Sequence, residues 1–173
     1  LVYGLRGLAY FELSVRGPST DLHSGTFGGA VENPANVLAR LIAGMHDSRG
    51  RVALPGFYDR VAPLSDEERG ELARVPQPDS WWLRTTGAPA LGGEEGYSTV
   101  ERACARPTLD VNGLLSGFTG EGAKTVLPSL ALAKISMRLV PEQTPEEAAA
   151  SLEAYLRARA PATVKWELRR MAG

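Results

Sequence analysis

A few side chains in this sequence have the type and setting to do chemistry. Arg138 falls on the polar side of an alternating stretch, and an arginine held there suits bidentate capture of a carboxylate, or else a surface ion pair. His23 lies in Asp21-Leu22-His23-Ser24-Gly25, a polar, glycine-flanked loop with little core to bury a ring. Composition alone reads it as a surface histidine or one tied to Asp21 in a local turn. His46, near the end of a helical pattern, reads as a cation favoured by the helix dipole. Cys104, with Ala103 and Ala105 around it, reads as a small packing residue, since a nucleophilic thiol would need a partner base. Gly117 and Gly122 with Lys124 and Thr125 imitate a phosphate-binding loop, but Ala123 breaks the register, and Pro128 and a strand follow where a helix must open.

The elements that must position these groups are legible. Phe11, Leu13 and Val15 alternate with Tyr10, Glu12, Ser14 and Arg16, which predicts a strand with one apolar face. A Gly/Ser/Thr-rich loop over 17–29 follows. Asn33 is the expected N-cap of a helix with Pro34 at its first position. Val37, Leu38, Leu41, Ile42 and Met45 stripe that helix, which is expected to end near Asp47. Segment 48–107 is rich in proline and glycine and thin in apolar residues. It reads as an irregular, partly helical insertion, with capping boxes Ser65/Glu68 and Ser98/Glu101 opening short helices and Trp81 and Trp82 in irregular chain between them.

Pattern resumes at Leu109, with Val111 and Leu115 expected on the same face. A glycine-rich stretch over 117–122 leads to a strand with Ala133, Ile135, Met137 and Leu139 on one side, and Lys134, Ser136 and Arg138 on the other. Thr144, Pro145 and Glu147 predict a capped helix with Ala148, Ala149, Leu152, Tyr155 and Leu156 buried, stopped by Pro161. Val164, Trp166 and Leu168 mark a last strand. The order βαββαβ is that of the ferredoxin-like α+β fold. It predicts a four-stranded antiparallel sheet with two helices on one face.

Composition excludes several classes. The 173 residues carry 19 basic and 20 acidic side chains, a net charge of −1. With a pI near 6.2 there is no electrostatic footprint for nucleic acid, and the strands lack the basic and aromatic pattern of an RNA-binding sheet. One cysteine makes no internal disulfide and no thiolate zinc finger, and two histidines make no multi-histidine metal site. No apolar run approaches the roughly 20 residues of a membrane helix, and no signal peptide is evident. The start at Leu1 points to a segment of a longer protein.

A series of short motifs occurs in fixed order. They are Gly4-Leu5-Arg6-Gly7, Asp21-Leu22-His23-Ser24-Gly25, Phe27-Gly28-Gly29-Ala30-Val31, Asn33-Pro34 and Gly56-Phe57-Tyr58-Asp59. Arg106-Pro107-Thr108-Leu109-Asp110, Lys124-Thr125-Val126-Leu127-Pro128 and Arg138-Leu139-Val140-Pro141 complete the set. Across nearly the whole chain this set resembles the lid, or dimerisation, domain of carnosinase-type di-zinc dipeptidases, whose wider metallopeptidase family includes aminoacylases and succinyl-diaminopimelate desuccinylase.

The resemblance implies that residues 1–173 form one lid domain with an insertion at about 48–107. The lid would sit within a catalytic domain, absent from this chain, that binds two zinc ions or similar divalent metals. No cofactor is then expected in the chain itself, and the isolated domain is not expected to hydrolyse peptides. By resemblance, His23 would reach into the partner subunit's active site to stabilise the oxyanion. Arg138 would hold the substrate's terminal carboxylate, with Thr125 as a polar contact beside it. Lys134 and Ser136 share the face of Arg138 without a role. Some relatives have Asn in place of Thr125, and Thr fits the dipeptidase branch. Implied partners are a second copy of the chain, the catalytic domains of both subunits, and a peptide or N-acyl amino acid substrate, in the cytoplasm and without nucleic acid or membrane. The alternatives are a stand-alone ferredoxin-like ligand-binding or regulatory module, and the lid of an N-acyl amino acid deacylase.

Overall fold

Alternation builds the sheet. The computed structural model describes residues 6–172. Strand β1 (Gly7–Arg16) buries Ala9, Phe11, Leu13 and Val15 completely. It pairs antiparallel with β5 (Leu130–Leu139) on one side and with β6 (Lys165–Ala172) on the other, while β3 (Thr108–Ser116) adds to the far edge of β5. The sheet order is β3-β5-β1-β6, all antiparallel, as the α+β reading expects.

Helices α2 (Pro34–Ala43) and α6 (Pro145–Arg159) cover one face. Val37, Leu38 and Leu41 from α2 and Leu152, Tyr155 and Leu156 from α6 meet Phe11, Leu13, Ile135 and Met137. Each large side chain so buried stabilises the fold by about 1.5–3 kcal/mol. Asn33 caps α2 and Thr144 with Glu147 closes the box at α6, as their sequences predict.

Five expectations change. Helix α2 stops at Ala43, not near Asp47. The Tyr155 hydroxyl donates to the Leu41 carbonyl at 2.8 Å, and a Cβ at Gly44 would lie 2.3 Å from that hydroxyl, so the last turn ends on a glycine held under the tyrosine. His46 therefore lies beyond the helix, paired with Val52 in an isolated bridge, and Arg40 is the cation in the last turn. Trp81 and Trp82 are not in irregular chain but in α4 (Asp79–Thr86), packed edge to face. Leu115 is not on the face of Leu109 and Val111. A bulge between Val111 and Gly113 inverts the alternation, so Leu115 pairs with Leu132 and is 62% exposed. Cys104, at the end of α5 (Thr99–Cys104), is exposed and not a packing residue.

Segment 48–107 is ordered by arginines. Glu94 and Arg106 form a buried two-bond pair at 2.8 and 2.9 Å, and the Arg106 guanidinium stacks 4.2 Å over the Tyr97 ring. Arg69 clasps Glu101 at 2.7 and 3.1 Å, tying α3 (Asp66–Ala73) to α5. Both predicted capping boxes form.

Candidate functional site

The histidine loop is more structured than its composition indicates. Leu22 and His23 form a two-residue strand, β2, that pairs with β4 (Val126–Leu127) across more than a hundred residues of sequence. His23 then caps the single turn α1 (Ser24–Phe27). Its Nδ1 accepts the Gly25 N–H at 3.0 Å. With Nδ1 accepting, the proton of the neutral ring belongs on Nε2. Nε2 lies 3.1 Å from the Thr125 hydroxyl, so the imidazole is held on both sides while its surface stays exposed. The Ser24 N–H donates to the Thr125 carbonyl at 3.0 Å, closing the loop on itself.

Two small residues permit this packing. A Cβ at Gly25 would meet His23 Cε1 at 2.6 Å, and one at Gly28 would meet the Ser24 carbonyl oxygen at 2.4 Å. Asp21 does not tie His23. Its carboxylate accepts the Ser129 N–H and hydroxyl, both at 2.8 Å, pinning the loop to the start of β5. Those donors hold the Asp21 carboxyl below its ordinary range.

Arg138 stands at the opposite end of β5, exposed on the open face between Leu8 and Thr108. From Leu130 to Arg138 is eight residues of strand, about 26 Å. Within one chain Thr125 is therefore beside His23 and far along the sheet from Arg138. Lys134, on the same face, is engaged by Glu12, which also receives Arg169 at 3.1 Å. Lys124 lies 5.8 Å over the Phe118 ring, away from any phosphate-binding geometry.

Sequence reasoning missed the His23–Thr125 contact, although both residues lie in quoted motifs. Their pairing depends on a two-residue ladder too short to leave a periodic signal. It also missed the Glu94–Arg106 pair, which sits in a segment read as irregular.

Among the described residues no group of three or more His, Cys, Asp or Glu side chains gathers to hold a metal, so a two-metal centre does not fit them. No described helix is long and apolar enough to cross a membrane.

Polar groups thus stand at both ends of one antiparallel sheet that carries helices on its other face. Residues 3–164 match the peptidase dimerisation domain, and the chain belongs to that family. It is 36% identical to the Cys-Gly metallodipeptidase dug1 of Schizosaccharomyces pombe over 84% of the chain and 31% of that protein. It is 31% identical to the Beta-Ala-His dipeptidase of Rattus norvegicus over 91% of the chain and 32% of that protein. The chain thus spans about a third of the length of these curated relatives. Among solved structures, a metallo-carboxypeptidase of the M20 family from Sulfolobus solfataricus superposes with a TM-score of 0.80 at 33% identity, covering 96% of this chain and 38% of that one. Human carnosine dipeptidase 1 superposes with a TM-score of 0.79 at 28% identity, covering 95% and 36%.

Proposed function

We propose that residues 1–173 act as the dimerisation and lid domain of a cytoplasmic, zinc-dependent dipeptidase, with 48–107 as an insertion. The two zinc ions assigned to such an enzyme belong to its catalytic part, because the described residues do not fit them. His23 supplies an Nε2–H donor to the oxyanion once that N–H exchanges its Thr125 contact for the substrate, Arg138 receives the substrate's terminal carboxylate, and Thr125 is a polar contact beside it. The names of the relatives favour a dipeptide over an N-acyl amino acid, and family membership does not favour a stand-alone ligand-binding module.

The observation that carries this reading is the separation of His23 from Arg138. A dipeptide spans at most about 7 Å, whereas His23 is tied to Thr125 and its loop to Ser129 at the start of β5, and Arg138 lies about 26 Å of strand beyond Leu130. One chain cannot bring both to one substrate. A two-fold dimer can, if His23 and Thr125 serve the partner's site and Arg138 its own. The β3 edge supports such pairing, since Leu114 and Leu115 there are 63% and 62% exposed. The β6 edge instead carries Lys165, Glu167, Arg169 and Arg170.

The test uses the complete polypeptide that contains this chain. His23→Ala and Arg138→Ala, each nearly inactive alone, are mixed and allowed to exchange subunits. Random exchange should restore about a quarter of the wild-type activity, because half the dimers then hold one intact site. No recovery despite proven exchange would place both groups in the same subunit's site and refute the reading.

A further inference from the structure

Two guanidinium groups share the open face at the Arg138 end of the sheet. A Cβ at Gly7 would point toward the buried Leu139 side chain, 3.4 Å from its Cβ. Alternation therefore turns Arg6 to the open side, with Leu8 and its cross-strand neighbour Arg138. One arm of Arg6 is anchored, with Nη1 donating to the Arg106 carbonyl at 3.2 Å. Arg106 is itself fixed by the buried pair with Glu94 and is joined through Pro107 to Thr108, the other cross-strand neighbour of Arg138.

Arg6 is half-buried, and its pKa is pushed down first by that burial and then by the charge of Arg138, with Cys104 and Asp110 opposing. Asp110 also accepts the Thr108 hydroxyl at 3.2 Å. A half-buried cation beside a second cation is unfavourable until an anion joins them.

We propose that Arg6 is a positioning residue for carboxylate recognition: anchored on the Arg106 carbonyl, it sets a second positive charge beside Arg138 and raises affinity for substrates with a free terminal carboxylate. This rests on the assignment of Arg138 to that carboxylate. It also explains why Arg6 is tied down by a backbone carbonyl and not by an acid, because a carboxylate partner would cancel the charge.

The experiment compares Arg6→Gln, Arg6→Lys and Arg138→Ala in the complete polypeptide, using a dipeptide and its C-terminal amide. KM and kcat are measured for both, with calorimetric binding of a reduced-bond dipeptide analogue and its amide. Arg6→Gln should raise KM and Kd for the free acids about tenfold, leave kcat and the amides nearly unchanged, and lose its effect in high salt. Arg6→Lys should keep most of the preference. Equal weakening of acid and amide, or equal damage from Gln and Lys with a lowered unfolding temperature, would make Arg6 only a structural tie and overturn the inference. If Arg138→Ala abolishes the acid-over-amide preference while Arg6→Gln leaves it intact, the Arg6 inference alone fails. If Arg138→Ala leaves the preference intact, the assignment of Arg138 fails first, and the Arg6 inference with it.

Discussion

Replacing Arg106 by methionine tests what holds the carboxylate end of the domain. The Arg106 and Glu94 side chains are 5% and 8% exposed and share two hydrogen bonds. Arg106→Met keeps much of the volume but removes both bonds and the stacking on Tyr97. Glu94 is then left with Arg51 at 3.5 Å, a side chain that is itself 45% exposed. Breaking a buried pair from one side costs about 3–5 kcal/mol, mostly for the charge left behind. At about 2 kcal/mol per molar for a chain of this size, the urea midpoint should fall by about 2 M. Tryptophan fluorescence reports it, since Trp81 and Trp82 lie in the insertion and Trp166 lies on β6. Glu94→Leu combined with Arg106→Met should recover most of the loss, because no charge remains buried. A loss below about 1 kcal/mol for the single change, or a double variant no better than the single one, would refute the argument.

Further outcomes are expected. Gly25→Ala should displace the imidazole, whose Cε1 lies 2.6 Å from the new methyl position. Turnover of the complete enzyme should fall about 10²–10³-fold, as for loss of an oxyanion donor, with the unfolding midpoint little changed; undiminished turnover would remove His23 from the chemistry. Leu114→Lys with Leu115→Lys should shift sedimentation from dimer to monomer without lowering the unfolding temperature, since both side chains are already exposed. Asp21, Glu68, Glu146 and Glu147 are all held below the ordinary carboxyl range, Asp21 mainly by Ser129 and Glu147 mainly by Thr144. Their folded pKa values lie under the unfolded ones, so the stability they add is present above about pH 4 and is lost as pH falls through the lowered values. The unfolding midpoint should stay flat from pH 7 to 5 and drop below about pH 4; a decline starting between pH 7 and 5 would contradict this.

Local rules made much of the fold legible. Phe11, Leu13 and Val15 announce a strand, Thr144 through Glu147 a helix start, and both hold because the signal lies within a few residues of the element it sets. Local patterns do not reach the elements that distant contacts decide. The register of Leu115 depends on a bulge that is visible only once β3 is laid against β5. The end of α2 depends on Tyr155, more than a hundred residues away. Trp81 and Trp82 lie in a helix that opens after Pro78 with no side-chain cap, so the usual start signal is missing. For the site, period two alone puts Arg138 on the polar face, where it stands in the fold. The partner of His23 was not legible, since nothing local links it to Thr125.

The geometry also separates two sets of residues to which different roles are proposed. His23, Thr125 and Asp21 are fixed by contacts around β2, β4 and Ser129. Arg6 and Arg138 are fixed at the other end, through Arg106 and the insertion. The two sets share no direct hydrogen bond among the contacts described, and they are separated by the length of β5. Energetic coupling between changes at well-separated sites without shared partners is small, within about 0.5 kcal/mol. Within one folded chain, then, Gly25→Ala and Arg106→Met should affect stability additively. Their effects on catalysis should meet only across the dimer, where the oxyanion donor of one subunit and the carboxylate clamp of the other act on the same substrate. The arginines of segment 48–107 have a physical reason of their own. A segment with few apolar residues cannot order itself by burial, and Arg69, Arg102 and Arg106 tie its own carboxylates and carbonyls together.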